Sequence, residues 1–244
     1  MRQRLDIVMV ERGLCPSREK AQRAILAGQV RINGQTARKA SDTVNASDTV
    51  ELETPEKFVS RGGRKLEHAL ETFALDVNGL TAADLGASTG GFTDCLLQRG
   101  AAKIFAIDVG HGQLAWKLRN DPRVVVMEKT NARSLGPGAL PPVDLVVVDC
   151  SFISLRKILP AATAILRPGG RIVALVKPQF EAGKAEADRG AGVITDPAVH
   201  ERVLAELREF TGTLAGLGWR DVVKSPILGP AGNQEFLALI EKAP

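Results

Sequence analysis

The sequence predicts an α/β protein: a mostly parallel, seven-stranded sheet with an antiparallel last strand, preceded by a small α/β module. Three observations carry this. From Gly79 onward, short apolar runs rich in β-branched residues alternate with stretches at helical spacing, the pattern of a parallel sheet covered on both faces. The last two runs are joined only by Gly229-Pro230-Ala231-Gly232-Asn233, too short for a crossover helix, so they pair antiparallel. The charge is divided as well. Residues 1–39 carry nine Lys/Arg against three Asp/Glu, and the rest of the 244-residue chain carries 23 against 25. Such a basic head suggests a module that meets a polyanion, or else a solvated surface.

The elements follow in order. Leu5, Val8 and Met9 form a short amphipathic stretch that ends by Gly13. Ser17 is placed to cap a second helix running to Leu26. Val30-Arg31-Ile32 alternates and meets Asn33-Gly34, the residue pair of a tight hairpin turn. Asp48 to Leu52 alternates again. This gives a module over residues 1–53 and a linker over residues 54–60, with the larger domain at 61–244. Leu66, Ala69, Leu70 and Phe73 open the larger domain at helical spacing. Its expected strands are Ala82–Leu85, Lys103–Asp108, Val124–Glu128, Val143–Asp149, Arg171–Val176, Asp221–Ile227 and Glu235–Ile240. Helices are expected near Thr93–Arg99, Leu114–Arg119, Ile153–Leu166 and Pro197–Leu217.

Several function classes are disfavoured. No apolar run approaches the ~18 residues of a membrane helix, and the charged N-terminus lacks a signal-peptide core. A cytoplasmic protein is expected. Cys15, Cys95 and Cys150 are far apart, and His68, His111 and His200 show no ligand spacing, so neither a disulfide framework nor a metal site is expected.

Asp84-Leu85-Gly86-Ala87-Ser88-Thr89-Gly90-Gly91-Phe92 follows an expected strand and opens a helix. Glycines there let a ligand approach the backbone. Asp108, with Val109 beside it, ends the next strand, where a carboxylate accepts from the ribose hydroxyls of a nucleoside. Asn131, after the third strand, is placed to address the adenine edge. A dinucleotide site would need glycine where Ser88 stands. Asp84 would also repel a diphosphate, whereas it suits the cationic amino-acid end of S-adenosylmethionine. The expected fold is thus the Rossmann-like methyltransferase fold, with S-adenosylmethionine as cofactor.

Lys177 ends an apolar strand, Asp149 ends another, Glu235 begins the last, and Lys65 follows Ser60-Arg61-Gly62-Gly63-Arg64. All four can converge on the carboxyl edge of the sheet, where ligands bind in such folds. Ordinary surface ion pairs are the alternative, more open for Lys65 than for Lys177. Asp144 starts its strand and belongs at the opposite edge.

Ser60 to Gly63, Gly86 to Phe92, Asp149-Cys150-Ser151-Phe152-Ile153-Ser154-Leu155, Val176 to Phe180 and Gly232 to Glu235 together resemble the TlyA family. The resemblance covers essentially the whole chain. It implies an FtsJ-like ribose methyltransferase domain behind an RNA-binding domain of the ribosomal-protein S-four type. It also implies a catalytic Lys-Asp-Lys-Glu set at Lys65, Asp149, Lys177 and Glu235, and transfer to a ribose 2′-hydroxyl of ribosomal RNA. Some members of the family carry the name haemolysin.

The chemistry fits that set. A ribose hydroxyl is a weak nucleophile and gains from a positioned base whose pKa lies near working pH. A lysine, ordinarily at ~10.4, must be lowered by burial or a like charge to serve. Lys177 is the expected base, Lys65 the neighbouring cation, and Asp149 and Glu235 the groups that orient them. Arg2, Arg4, Arg18, Lys20, Arg23, Arg31, Arg38 and Lys39 are candidate phosphate contacts, which give affinity rather than sequence choice. The module has no aromatic residue, so it is expected to recognise folded RNA by shape rather than by stacking. Phe180 to Thr195, glycine-rich and polar, reads as a lid or RNA-contact loop, or as a plain surface loop. The expected partner is ribosomal RNA or a ribosomal subunit, with the chain working as a monomer. Two other readings remain open: a membrane-active haemolysin, and an RNA-binding assembly factor with a vestigial methyltransferase site.

Overall fold

The computed structural model describes residues 2–53, 56–183, 186 and 190–244. The chain divides into two compact units, residues 1–57 and 58–244.

In the first unit, β1 (Gln3–Arg4) leads into α1 (Leu5–Glu11), followed by α2 (Arg18–Leu26). Ser17 caps α2, its side chain accepting from the Lys20 N–H at 3.3 Å. β2 (Val30–Ile32) and β3 (Gln35–Thr36) form the expected hairpin. Asn33 and Gly34 both have positive φ, 49° and 79°, as that turn type requires. β4 (Thr43–Val44) pairs with β1, and β5 (Val50–Leu52) pairs with the free side of β2. The β1–β4 pair was not anticipated, because two residues cannot display an alternation. Leu5, Val8, Met9, Ile25, Val30, Val44 and Val50 form the core of this unit.

The second unit begins with α3 (Gly62–Thr72), β6 (Thr81–Leu85), α4 (Gly91–Gln98), β7 (Lys103–Ile107), α5 (Trp116–Arg119) and β8 (Val124–Met127). It continues with β9 (Val143–Val148), α6 (Leu159–Ile165), β10 (Leu166–Val176), α7 (Pro178–Glu181), α8 (Pro197–Thr213), β11 (Leu217–Lys224) and β12 (Phe236–Lys242). The sheet order is β11-β12-β10-β9-β6-β7-β8. β12 is antiparallel to both of its neighbours, and the pairs from β10 to β8 are parallel. Period-two alternation sends Ala83, Leu85, Val146, Val148, Ile172 and Ala174 into one apolar cluster with α6 and α8. It sends Ala82, Val147, Val173, Leu175 and Leu237 into another with α3 and α4. Both faces are therefore buried, the reason these strands read as continuous apolar runs.

Several boundaries differ from the expected ones. The helix expected over 153–166 splits into a 3-10 turn at Leu155–Lys157 and α6. Pro160 falls in the first turn of α6, where its missing N–H is harmless. The strand expected from Arg171 starts at Leu166, with a register shift against β9 between those residues. β11 starts at Leu217 rather than Asp221, and a shift between Trp219 and Asp221 breaks its alternation. Phe180 and Glu181, expected in a loop, close α7. Lys184 and Arg189 of that loop, like Thr54 and Pro55 of the linker, lie outside the described residues.

Register fixes what meets at the carboxyl edge. Val176 pairs with Phe236 across β10 and β12, so Lys177 and Glu235, one residue further on, emerge side by side. Leu85 pairs with Val148, so Gly86 and Asp149 emerge together. Asp144 sits at the other edge as expected, accepting from the Thr81 N–H at 2.7 Å and ion-paired with Arg167 at 2.6 Å.

Candidate active site

The glycine loop is stitched to the neighbouring strands. The N–H groups of Gly86 and Ala87 donate to the Ile107 carbonyl at 2.9 and 3.1 Å, and the Asp149 N–H donates to Leu85 at 2.9 Å. Gly86 has φ +87°, and a Cβ there would lie 2.7 Å from the Asp149 carbonyl oxygen; only glycine allows this approach. Gly90 also needs its freedom, at φ +95°, but it packs on Leu114 and Leu118 and borders neither cleft described below. Its positive φ serves the turn that opens α4.

Two adjoining clefts meet at this loop. One, of about 270 Å³, is bordered by Asp84, Ala87, Thr89, Gly91 and Phe92 and by Lys65, Lys177 and Glu235. The other, of about 770 Å³, is bordered by Asp108, Val109, Asn131, Phe152 and Phe180 among others. Gly86, Ser88, Asp149 and Ser151 border both.

Asp84 is fully buried. Its Oδ2 accepts from the Thr93 N–H at 3.0 Å and the Thr93 hydroxyl at 2.7 Å, while Oδ1 has no hydrogen-bond partner among the described residues. Burial pushes its carboxyl up to about 7, the Asp149 and Asp108 carboxylates push the same way, and the Thr93 bonds oppose them. An orphaned buried oxygen of this kind is costly unless a donor meets it. Asp108 accepts from Ser88 N–H at 2.8 Å through Oδ2 and from Gly110 N–H at 2.7 Å through Oδ1. Each oxygen keeps a further lone pair. Asn131 caps a short turn, its Oδ1 accepting from the Arg133 N–H at 3.1 Å.

The four residues of the lysine–carboxylate set form two ion pairs. Lys65 Nζ lies 2.5 Å from Glu235 Oε2, with side chains 9% and 1% exposed. Lys177 Nζ lies 2.6 Å from Asp149 Oδ1 and donates to Ser151 Oγ at 2.8 Å. Lys65 comes from the first turn of α3, and the other three come from sheet-edge positions. Lys65, Lys177 and Glu235 are buried and Asp149 is half-buried; all four are paired at one cleft rather than scattered over the surface.

Sequence reasoning assigned no role to Ser151, Phe152 or Glu181. Phe152 is 90% exposed with φ +62°, and its ring stands 5.2 Å from that of Phe180. An exposed aromatic in a left-handed conformation cannot be read from residue type. Burial pushes the Cys150 thiol up to about 12, and its Sγ donates to the Leu85 carbonyl at 3.4 Å, surroundings that favour the thiol over the thiolate.

In the first unit, the candidate phosphate contacts fall into two groups. Arg4 and Arg18 reach the fully buried Asp6 at 3.0 and 2.9 Å, joined by Gln22 at 2.8 Å. Arg23 pairs with Glu19 at 2.5 Å, and Arg31 with Glu53. Arg4 and Arg18 hold the buried Asp6 while presenting charge, whereas the Arg23 and Arg31 pairs are solvent-exposed and contribute little to stability. Arg2, Lys20, Arg38 and Lys39 are exposed.

A sheet of this order, with a glycine loop after β6 and a carboxylate ending β7, defines an S-adenosylmethionine-dependent methyltransferase. The chain belongs to the FtsJ-like methyltransferase family, whose model matches residues 58–242, and within it to the TlyA group. An S4 domain model matches residues 3–50. The chain is 52% identical over 241 residues to the 16S/23S rRNA (cytidine-2′-O)-methyltransferase TlyA of Mycobacterium tuberculosis, covering 96% of this chain and 88% of that one. It is 42% identical to Hemolysin A of Brachyspira hyodysenteriae, covering 96% and 98%. Among solved structures, a putative hemolysin from Streptococcus thermophilus superposes with a TM-score of 0.75 at 42% identity, covering 99% of this chain and 89% of that one.

Proposed function

We propose that the chain methylates a ribose 2′-hydroxyl of ribosomal RNA, with S-adenosylmethionine as donor and Lys177 as general base. The observation that carries this is the pair of lysine–carboxylate contacts, one buried and one half-buried, bordering the same cleft as the glycine loop.

The residues present fit the donor. The orphaned Asp84 Oδ1 suits the ammonium of its amino-acid end, and the remaining lone pairs of Asp108 suit its ribose hydroxyls. Asn131, with Oδ1 taken by the backbone, offers its amide N–H groups to the adenine. When bound, the donor supplies an electrophilic methyl carbon: the 2′-oxygen bonds to it, and the carbon–sulfur bond breaks with its electron pair going to sulfur. Lys177 takes the proton from the hydroxyl. Asp149 fixes the Lys177 amine, and Glu235 fixes Lys65 beside it. Holding hydroxyl and methyl in line supplies much of the acceleration. The exposed Phe152 ring gives this unit a surface on which a base can stack, which the aromatic-free first unit lacks.

The first unit, residues 1–57, supplies sequence-independent affinity for the RNA backbone. A single chain carries every residue the reading needs, and a ribosomal substrate places its work in the cytoplasm. The cytidine in the relatives' names is the first acceptor to test. Ribose methylation mapped across ribosomal RNA, with and without this protein, decides the matter: a modified ribose that disappears with the protein supports the reading, and an unchanged map defeats it.

A further inference from the structure

The lone pair of a lysine base must face the hydroxyl that it deprotonates. A neutral primary amine has two N–H bonds and one lone pair at the corners of a tetrahedron completed by Cε. Asp149 Oδ1, 2.6 Å from Lys177 Nζ, takes one N–H. With that contact alone, the second N–H and the lone pair are free to exchange places. Ser151 Oγ, 2.8 Å from the same nitrogen, takes the second N–H and leaves one corner.

We propose that Ser151 is a positioning residue of the methyl transfer, which with Asp149 occupies both N–H bonds of Lys177 and so leaves its lone pair facing the acceptor hydroxyl. The proposal rests on the reading of Lys177 as base. The proton moves from the 2′-oxygen onto the Nζ lone pair, and the O–H electron pair stays on oxygen for the new bond to carbon. The resulting ammonium keeps both earlier contacts and gains a third N–H.

The placement of Ser151 is built in. It borders both clefts, where a donor and an acceptor must meet. Its loop is pinned at one end to β6 through the Asp149 N–H and Cys150 Sγ contacts to Leu85. At the other end the Glu181 carboxylate accepts from the Ser154 hydroxyl at 2.6 Å and the Leu155 N–H at 2.7 Å. Glu181 lies in α7, the helix that starts immediately after Lys177. The loop and the lysine therefore share one frame. Ser151 itself is exposed, so removing its hydroxyl empties no core.

The test uses the full chain, S-adenosylmethionine and ribosomal subunits lacking the modification. Ser151→Ala is expected to lower kcat by about 10- to 100-fold, the scale of a small misplacement of a reacting group. KM for the subunit, and donor affinity by calorimetry, should stay within about twofold, the pattern of an interaction realised only in the transition state. Ser151→Thr keeps the hydroxyl and is expected to recover to within about threefold of wild type, a residual loss below 1 kcal/mol. Lys177→Ala is run alongside. A wild-type rate for Ser151→Ala beside an inactive Lys177→Ala overturns the proposal and leaves the base reading standing. Wild-type rates for both variants overturn both. Loss of donor affinity in Ser151→Ala, or failure of threonine to restore the rate, also overturns it, because the role would then be structural.

Discussion

Lys65 and Glu235 are 170 residues apart in sequence and 2.5 Å apart in space, an ion pair between the first turn of α3 and the residue that precedes β12. With both side chains at least nine-tenths buried, the pair ties the opening helix of the domain to the closing strand of its sheet. Glu235→Ala leaves the Lys65 ammonium buried and alone, which is expected to cost about 3–5 kcal/mol. Thermal denaturation should record a lower midpoint, and methyl transfer should fall with it. An unchanged midpoint would mean that the pair holds nothing together.

Lys177→Ala removes the proposed base. Loss of a general base typically costs about 10²- to 10⁴-fold in rate, and the expected fall in kcat lies in that range with donor affinity retained. Single-turnover methylation of ribosomal subunits measures it. A variant with full activity would dismiss the lysine-base mechanism.

Asp84 is expected to make donor binding depend on pH. Its carboxyl is pushed up to about 7 by burial, against an unfolded value of about 3.9. For a group raised on folding, the linked stability is fully present below the unfolded value and is lost as pH rises through the folded one. The ligand-free protein is therefore expected to lose stability between about pH 4 and 7 on this account. A cationic donor prefers the carboxylate, so its affinity should rise over the same interval and level off above it. Calorimetry at pH 6 should give a Kd about tenfold weaker than at pH 8, and Asp84→Asn should bind weakly at both. Equal affinity of the wild type at the two pH values would contradict this role for Asp84.

The basic residues of the first unit should separate into two classes. Lys20→Ala and Lys39→Ala remove exposed charge, so RNA affinity should drop and the slope of log K against log salt should become shallower by about 0.9 for each phosphate no longer neutralised. Asp6→Asn instead breaks the network of Arg4, Arg18 and Gln22 and should destabilise the unit. The guanidinium groups hold the Asp6 carboxyl far below the usual carboxylate range. The stability it contributes is therefore present above the unfolded value and is lost only as pH falls toward the depressed one. Salt titrations of binding, together with denaturation curves, tell the classes apart. Identical behaviour of the three variants would refute the division.

Membrane lysis is not expected, although some similar proteins bear the name hemolysin. Among the described residues no helix is long and apolar enough to cross a membrane. Purified protein added to liposomes should release no trapped dye, and robust leakage would overturn the expectation.

Much of this was legible in the chain. The β-branched runs from Ala82 to Val176 announced a sheet buried on both faces, because such strands need no polar alternation. The short Gly229–Asn233 link announced the antiparallel last pair. Asn33-Gly34 and Ser17 marked a turn and a cap through their own side-chain and backbone preferences. What escaped were features whose signal is not local. β11 was misplaced because its register shift interrupts the alternation that a strand displays. The helix sought over 153–166 was broken because Pro160 suits only a first turn.

The site divides in the same way. The sequence by itself marked Asp149, Lys177 and Glu235 as candidates for the chemistry, since residues at those strand ends emerge at one sheet edge, and left Lys65, which stands on α3, more open. Tertiary structure decided the pairing: Lys65 with Glu235, Lys177 with Asp149. That choice depends on the register of β10 against β9 and β12 and on where α3 packs, and each is set by contacts between segments far apart in the chain. It also decided that Ser151 stands beside Lys177 and that, among the described residues, Asp84 keeps one oxygen unpartnered. Hydrogen-bond partners and burial belong to the assembled fold, and no residue carries them in its identity alone.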